Sequence, residues 1–150
     1  MGKLAPSVIE AAQDGDRHYN VPASVSLAQF ILESGWGQHM PPGSNNPFGI
    51  KARKGRPSVT VRTREVDKRG NSFYVNAAFR KFASLSEAFD AHAALLATAP
   101  VYAPAMAAWG HGDLKGGIAL MAMHYATDPG YARTLLNLIT SLKLSQYDIA

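Results

Sequence analysis

The sequence predicts a mostly helical α+β domain that carries a single β-hairpin. Three observations predict it. Apolar residues recur at helical spacing in several segments that open on prolines or capping side chains. Two runs, Ser58 to Val66 and Ser72 to Arg80, alternate with period two around a glycine-containing turn. Finally, 150 residues, 47% hydrophobic and 17% charged, suffice for one core and are short for two.

The first helical run, Val8 to His18, opens on Pro6 and Ser7. Val8, Ile9, Ala11 and Ala12 are expected in the core, Asp14 and Asp16 outside it, and Gly15 weakens the run a little. Asn20-Val21-Pro22 predicts the next start: a capping-type side chain, then a proline tolerated in the first turn. From there Val21, Val25, Ala28 and Leu32 form one stripe with Leu27 and Ile31 beside it, while Ser26, Gln29 and Glu33 form a narrow polar stripe. Gly35 is a natural C′ residue. His39 to Pro47, rich in Pro, Gly, Ser and Asn, reads as loop.

In the hairpin, Val59, Val61, Thr63 and Glu65 share one face and Thr60, Arg62 and Arg64 the other. Asp67 to Asn71 makes the turn, and the β-lobe spans about 56–82. Ser84-Leu85-Ser86-Glu87 is a capping-box pattern that opens a helix to about Thr98. Pro100 and Pro104 punctuate a short helical stretch with Tyr102 and Trp109, and Leu114 to His124 is a further helix. Thr127-Asp128-Pro129 precedes the last one, where Tyr131, Leu135, Leu138, Ile139 and Leu142 repeat at helical spacing. No repeat or linker interrupts the chain, so a single domain, residues 1–150, is expected.

Composition narrows the function classes. No apolar run reaches the roughly 18 residues of a membrane span, so no membrane insertion is expected. Met1 to Val8 lacks the basic and apolar regions of a signal peptide. Without cysteines there is neither a disulfide nor a thiolate site. The five histidines show no metal-ligand spacing, and neither a phosphate loop nor a nucleophile elbow appears. No metal and no cofactor are expected. The net charge of +4 is uneven: ten of the fifteen Lys and Arg residues lie between Lys51 and Lys81, against Glu65 and Asp67 as the only acids there. Such a block fits a polyanionic partner or a solvated surface.

The chemistry centres on Leu32-Glu33-Ser34-Gly35-Trp36-Gly37. A carboxyl in the last turn of a buried helix meets the negative end of the helix dipole and the orphan carbonyls there. With burial added, its pKa rises, which suits a general acid working near neutral pH. Glycosidic oxygens leave poorly unless protonated, so such a group in a sugar-sized cleft is a way to start glycoside cleavage.

Leu32 to Gln38 and then Asn45-Asn46-Pro47-Phe48-Gly49-Ile50-Lys51 resemble the signature of the glucosaminidase family of peptidoglycan hydrolases, glycoside hydrolase family 73. That family includes the hydrolase domain of flagellar rod-assembly proteins, autolysins and phage lysins. Further matches follow in order: Thr63-Arg64-Glu65, Ala78 to Phe82, Tyr102-Ala103, and Tyr125-Ala126-Thr127-Asp128-Pro129-Gly130-Tyr131-Ala132. The resemblance covers roughly residues 17–140 and implies a lysozyme-like fold, a helical lobe and a small β-hairpin lobe flanking a substrate groove. It implies an endo-β-N-acetylglucosaminidase that cuts between N-acetylglucosamine and N-acetylmuramic acid, with peptidoglycan glycan strands as partner and no nucleic acid.

Position by position, the resemblance makes Glu33 the catalytic general acid. Glu65 matches a second acid proposed for some relatives as general base, with Asp67 the first substitute; a substrate-assisted route through the sugar's acetamido group needs neither. Tyr125 matches the family's active-site tyrosine. Trp36, Phe48 and Tyr102 either stack on sugar rings or plug the core, and Asn45 and Asn46 either bind sugar or turn the loop. Pro47 departs from the leucine of many relatives and stiffens the loop.

The rival enzyme classes on the same fold are a lytic transglycosylase or a muramidase. A different class is a non-catalytic basic module binding wall polymer or nucleic acid. A monomer acting on the cell wall is expected, exported by a phage holin, a secretion system or a removed N-terminal region.

Overall fold

The computed structural model describes residues 2–149; the expected domain's end residues, Met1 and Ala150, lie outside them. The chain folds as α1 (Pro6–Tyr19), α2 (Ala23–Ser34), β1 (Ser58–Val66), β2 (Ser72–Arg80), α3 (Leu85–Thr98), a 3-10 turn (Pro100–Tyr102), α4 (Ala103–Gly110), α5 (Leu114–Tyr125), α6 (Tyr131–Ser141) and a closing 3-10 turn (Leu144–Tyr147). It is a helical lobe with one antiparallel hairpin, the lysozyme-like α+β arrangement that the sequence predicts.

α2 is the axis of the helical lobe. Ala23 to Ile31 are all buried, and α1, α3, α6 and the closing turn surround the helix. A helix enclosed in this way is apolar on nearly every side. The periodicity misled in one respect. Ser26 and Gln29 of the polar stripe are 2% and 0% exposed, whereas Leu32 of the apolar stripe is 37% exposed. Ser26 and Gln29 of the stripe face the interior, Gln29 in a buried polar network described below, while Glu33 at its end is exposed.

A second correction concerns how α2 starts. Asn20 does not cap it; with φ at 61° it is the left-handed C-cap of α1. Pro22 occupies the N-cap position and offers no side-chain hydrogen bond. Two distant carboxylates take over. Asp16, expected outside, is buried and accepts hydrogen bonds from Ala23 N at 3.0 Å and Ile149 N at 3.1 Å. Asp148 accepts from Ser24 N at 2.7 Å and from its hydroxyl at 3.0 Å. The first-turn donors of α2 are thereby satisfied, and the carboxylates complement the positive end of the helix. Asp16→Ala removes the one oxygen that accepts both of its bonds and leaves the Ala23 and Ile149 N–H groups unpaired. It is expected to destabilise the fold by about 2–3 kcal/mol in urea unfolding.

Gly15 permits the tight α1–α3 packing, since a Cβ there would sit 3.1 Å from Ala93 Cβ. α3 begins as its sequence predicts, the Ser84 hydroxyl accepting from Glu87 N at 3.1 Å. The hairpin pairs Ser58 with Arg80 through to Val66 with Ser72. At its tip Asp67 Oδ1 accepts from Arg69 N and Asn71 N at 2.8 and 2.9 Å, an Asx-type turn that Gly70 completes with φ at 83°. Those bonds hold the Asp67 carboxyl below its ordinary pKa. At its base the hairpin is tied to the preceding loop by Arg80 N to Ile50 O, Ala52 N to Ala78 O and Lys81 N to Pro57 O. Among the described residues no single helix is long and apolar enough to cross a membrane.

Candidate active site

The site starts where α2 ends. Gly35, Trp36 and Gly37 have φ of 54°, 64° and 83°, three left-handed residues in succession. Glycine adopts this freely; a tryptophan does so at a cost of about 1 kcal/mol and only where surroundings enforce it. Ser34 does the enforcing. Its hydroxyl donates to Phe30 O at 2.5 Å and accepts from Gly37 N at 2.8 Å, while its carbonyl accepts from His39 N at 2.8 Å. The reversal fixes Glu33 at the lip of the helix, facing a groove.

That groove has a volume of about 500 Å³ and runs between the helical lobe and the hairpin. Glu33, His39, Pro47 and Gly49 contribute from the lobe and its loop, and Val61, Thr63 and Phe79 from the hairpin. The alternation of β1 puts Glu65 on this same face, one pleat repeat, about 6.7 Å along the strand, beyond Thr63. The Thr63 hydroxyl donates to Glu65 Oε1 at 3.3 Å. The two carboxyls are thus carried by different lobes. Asp67 sits at the hairpin tip with its carboxylate engaged by backbone N–H groups, which makes it a poor base.

Glu33 is open to the groove. Even so, the protein packed around its carboxyl withdraws enough water to raise its pKa above the ordinary 4.5, against the lowering effect of a hydrogen bond with Tyr131. A cluster of tyrosines surrounds it. Tyr125 and Tyr131 stack with centroids 5.7 Å apart at 16°, and Tyr102 lies 6.4 Å from Tyr125. Burial raises the pKa of all three hydroxyls, and the Glu33 carboxyl raises those of Tyr125 and Tyr131 further. They remain protonated hydrogen-bond donors throughout the physiological range.

Of the other sequence candidates Asn46 also lines the groove, whereas Phe48 and Trp36 sit elsewhere. Phe48 is 4% exposed; it stacks on His92 at 4.0 Å and 6°, edge-on to Phe89. It lies under the site, a plug of the core. Trp36 does not line the groove: its indole packs on the core, close beside Gly2. Asn46 is a loop staple, its amide donating to Ile50 O and Arg80 O at 2.8 and 2.9 Å and its carbonyl accepting from Ile50 N. Asn45, with φ at 51°, donates to Phe82 O at 3.1 Å. Both asparagines join the groove loop to the base of the hairpin. Sequence reasoning left out Tyr131, Gln29 and His92. Gln29 lies one helical turn before Glu33, which is the one local signal available.

The basic block dresses the hairpin and its base. Lys51 lies over Phe79, Arg62 over Tyr74 and Arg80 over Phe82, with cation-to-centroid distances of 4.5, 4.5 and 4.7 Å. Among the described residues the ion pairs are Arg17–Asp14 and His18–Asp90, so none of these cations is in one. No group of side chains suited to a metal ion occurs among the described residues.

Comparison with known proteins places this geometry. The model of the glucosaminidase family, described as mannosyl-glycoprotein endo-beta-N-acetylglucosaminidase, matches residues 9–144. The exo-glucosaminidase LytG of Bacillus subtilis is 35% identical over 136 residues, 87% of this chain and 47% of its own length. The peptidoglycan hydrolase FlgJ of Salmonella typhimurium is 38% identical over 146 residues, 92% of this chain and 43% of its own length. The chain therefore spans less than half the length of these relatives.

Among solved structures, the catalytic domain of the autolysin Auto from Listeria monocytogenes matches with a TM-score of 0.81 at 32% identity, covering 99% of this chain and 91% of that one. A truncated glycoside hydrolase domain of Salmonella typhimurium FlgJ gives 0.73 at 35% identity, covering 91% and 93%. Sequence and backbone agree over nearly the whole length, hairpin included, and the chain belongs to the glucosaminidase family.

Proposed function

We propose that the chain is an endo-β-N-acetylglucosaminidase of peptidoglycan, cleaving the β-1,4 bond between N-acetylglucosamine and N-acetylmuramic acid with Glu33 as general acid. The observation that carries this reading is Glu33 itself: a carboxyl whose pKa desolvation raises, at the lip of an inter-lobe groove, in a chain of the glucosaminidase family. Relatives bearing the names peptidoglycan hydrolase and autolysin support the wall polymer as substrate.

The chemistry follows from charge. As the glycosidic bond stretches, negative charge grows on the departing oxygen and positive charge on the anomeric carbon. Glu33 quenches the first by giving up its proton. The second is met from the opposite face, either by a water that Glu65 deprotonates or by the acetamido oxygen of the substrate sugar. Tyr125 donates its hydroxyl to the acetamido group. The unpaired cations of the hairpin meet the carboxylates of the peptide stems, and the site of action is the wall outside the cytoplasm.

Glu65→Gln separates the two routes. With Glu65 as base, lysis falls by about 100-fold or more; unchanged lysis assigns the second role to the substrate. The reading as a whole is tested by mass spectrometry of borohydride-reduced digests of purified peptidoglycan. Reduced N-acetylglucosamine ends support it. Anhydro-muramic ends assign a lytic transglycosylase, reduced muramic ends a muramidase, and either overturns it.

A further inference from the structure

Behind Glu33 the helical lobe holds a chain of polar side chains that the reaction above does not use. Gln29 on α2 and His92 on α3 are both fully buried, and His92 Nε2 lies 2.8 Å from Gln29 Oε1. The Gln29 amide nitrogen lies 3.1 Å from the Tyr131 hydroxyl and 3.7 Å from Met121 Sδ. The Tyr131 hydroxyl in turn neighbours the Glu33 carboxyl and lowers its pKa. Polar groups are buried in this number when they are satisfied by one another.

The neighbours of the Gln29 amide favour one direction for the bonds in this chain. The amide NH2 faces the Tyr131 oxygen and the Met121 sulfur; turning the amide over would set its carbonyl against the sulfur and leave His92 with a buried N–H on Nδ1 that nothing accepts. Its carbonyl therefore faces His92, and a carbonyl only accepts, so His92 carries its hydrogen on Nε2. This leaves His92 Nδ1 as the buried atom without a partner. As a bare acceptor pressed between Phe48 and the core, it is less costly than the orphaned N–H donor of the reverse arrangement. With the Tyr131 oxygen accepting from Gln29, its own hydrogen is free for the neighbouring Glu33 carboxyl.

We propose that His92, Gln29 and Tyr131 form a one-way hydrogen-bond relay, in which Gln29 and His92 are positioning residues that hold the Tyr131 hydroxyl as a donor to Glu33. The inference rests on the reading of Glu33 as general acid. Its consequence is for the moment after proton transfer. Glu33 is then a carboxylate in partly desolvated surroundings, and a donor already aimed at it stabilises the charge without reorganisation. The relay thus opposes burial: desolvation raises the pKa of Glu33, and the relay makes departure of its proton less costly.

Other titratable groups near Glu33 are Tyr125 at the end of α5, His39 in the groove loop and Glu65 across the groove, with Arg62 and Arg64 on the far face of the hairpin. They are common to every variant below. Gln29→Met keeps volume and removes the hydrogen bonds to His92, Tyr131 and Met121. It is expected to lower kcat on purified peptidoglycan about tenfold, to change KM less than about twofold, and to move the alkaline limb of kcat/KM to higher pH. Tyr131→Phe shifts the limb in the same direction. In the double variant, Gln29→Met adds no further shift and no further loss, because it acts only through the missing hydroxyl. His92→Phe keeps the ring on Phe48, frees the amide to turn over, and gives a smaller effect of the same sign.

Carboxyl NMR titration of Glu33 in the unliganded variants reads the same shift independently of turnover, so it tests the relay even if the wall is not the substrate. The result that overturns it is a folded Gln29→Met, or a folded His92→Phe should the first not fold, in which Glu33 titrates as in the wild type. Equally contradictory are losses from Gln29→Met and Tyr131→Phe that multiply.

Discussion

Glu33→Gln is expected to abolish wall lysis while leaving fold and substrate affinity in place. The substitution is isosteric, and the amide oxygen can accept from the neighbouring Tyr131 hydroxyl, so the tyrosine cluster keeps its arrangement. It occurs at the lip of the groove, outside the core, so the unfolding midpoint changes little; surface substitutions usually stay within about 0.5 kcal/mol. What disappears is the transferable proton. General acid catalysis contributes typically 10²- to 10⁴-fold. Here the leaving group is a sugar alkoxide that needs that proton, so a loss of about 10³-fold or more in kcat is expected, about 4 kcal/mol at the transition state. Pelleting with purified peptidoglycan measures affinity alongside turbidity loss. A non-catalytic basic module would give equal behaviour of variant and wild type in both.

The second large effect is on stability in acid, and it comes from His92. Burial without a charge partner lowers its pKa from 6.5 to about 3. Between those values the unfolded chain binds a proton that the folded one refuses, so stability rises with pH across the window. The contribution is fully present above pH 6.5 and is lost as pH falls towards 3, in total on the order of 4–5 kcal/mol.

Glu33 and Asp148 act in the opposite sense. Burial raises their pKa values in the fold, so they cost stability as pH rises through those values. A single pH series therefore mixes the signs. The difference between wild type and His92→Phe isolates the histidine: the wild type loses stability relative to the variant as pH falls from 6.5 to about 3, in urea unfolding at matched ionic strength. A constant difference would mean that His92 is protonated in the fold.

His92 also shows where the sequence stopped being informative. Helices and hairpin were legible because their determinants are local: prolines and caps at the starts, Gly35 at the end of α2, strict alternation in β1. What depends on residues far apart in sequence was not. Asp16 was expected in solvent because nothing nearby shows that Ala23 N and Ile149 N converge on it. The polar stripe of α2 was recognised, but periodicity cannot say whether such a stripe meets water or a histidine from another helix.

The site followed the same division. The family signature located the segments that build it, and within them Glu33 faces the groove. Phe48 and Asn46 belong to an equally clear segment and turn inward, one to stack on His92 and one to tie the loop to the hairpin. Tyr131 lies in a quoted motif six residues after Tyr125. A loop separates the two, so no regular spacing predicted their stacking at 5.7 Å. The groove's hairpin side was implicit in the alternation that groups Val61 and Thr63 with Glu65.

The claim that Glu33 is the general acid is tested most directly by two titrations compared on one axis: the Glu33 carboxyl resonance in the free protein, and the alkaline limb of kcat/KM for lysis of purified peptidoglycan. The rate parameter reports the essential acid of the free enzyme, so the two midpoints should coincide, above the ordinary 4.5 of a glutamate. A Glu33 that titrates at or below 4.5 while the rate limb lies well above it would show that another group supplies the proton.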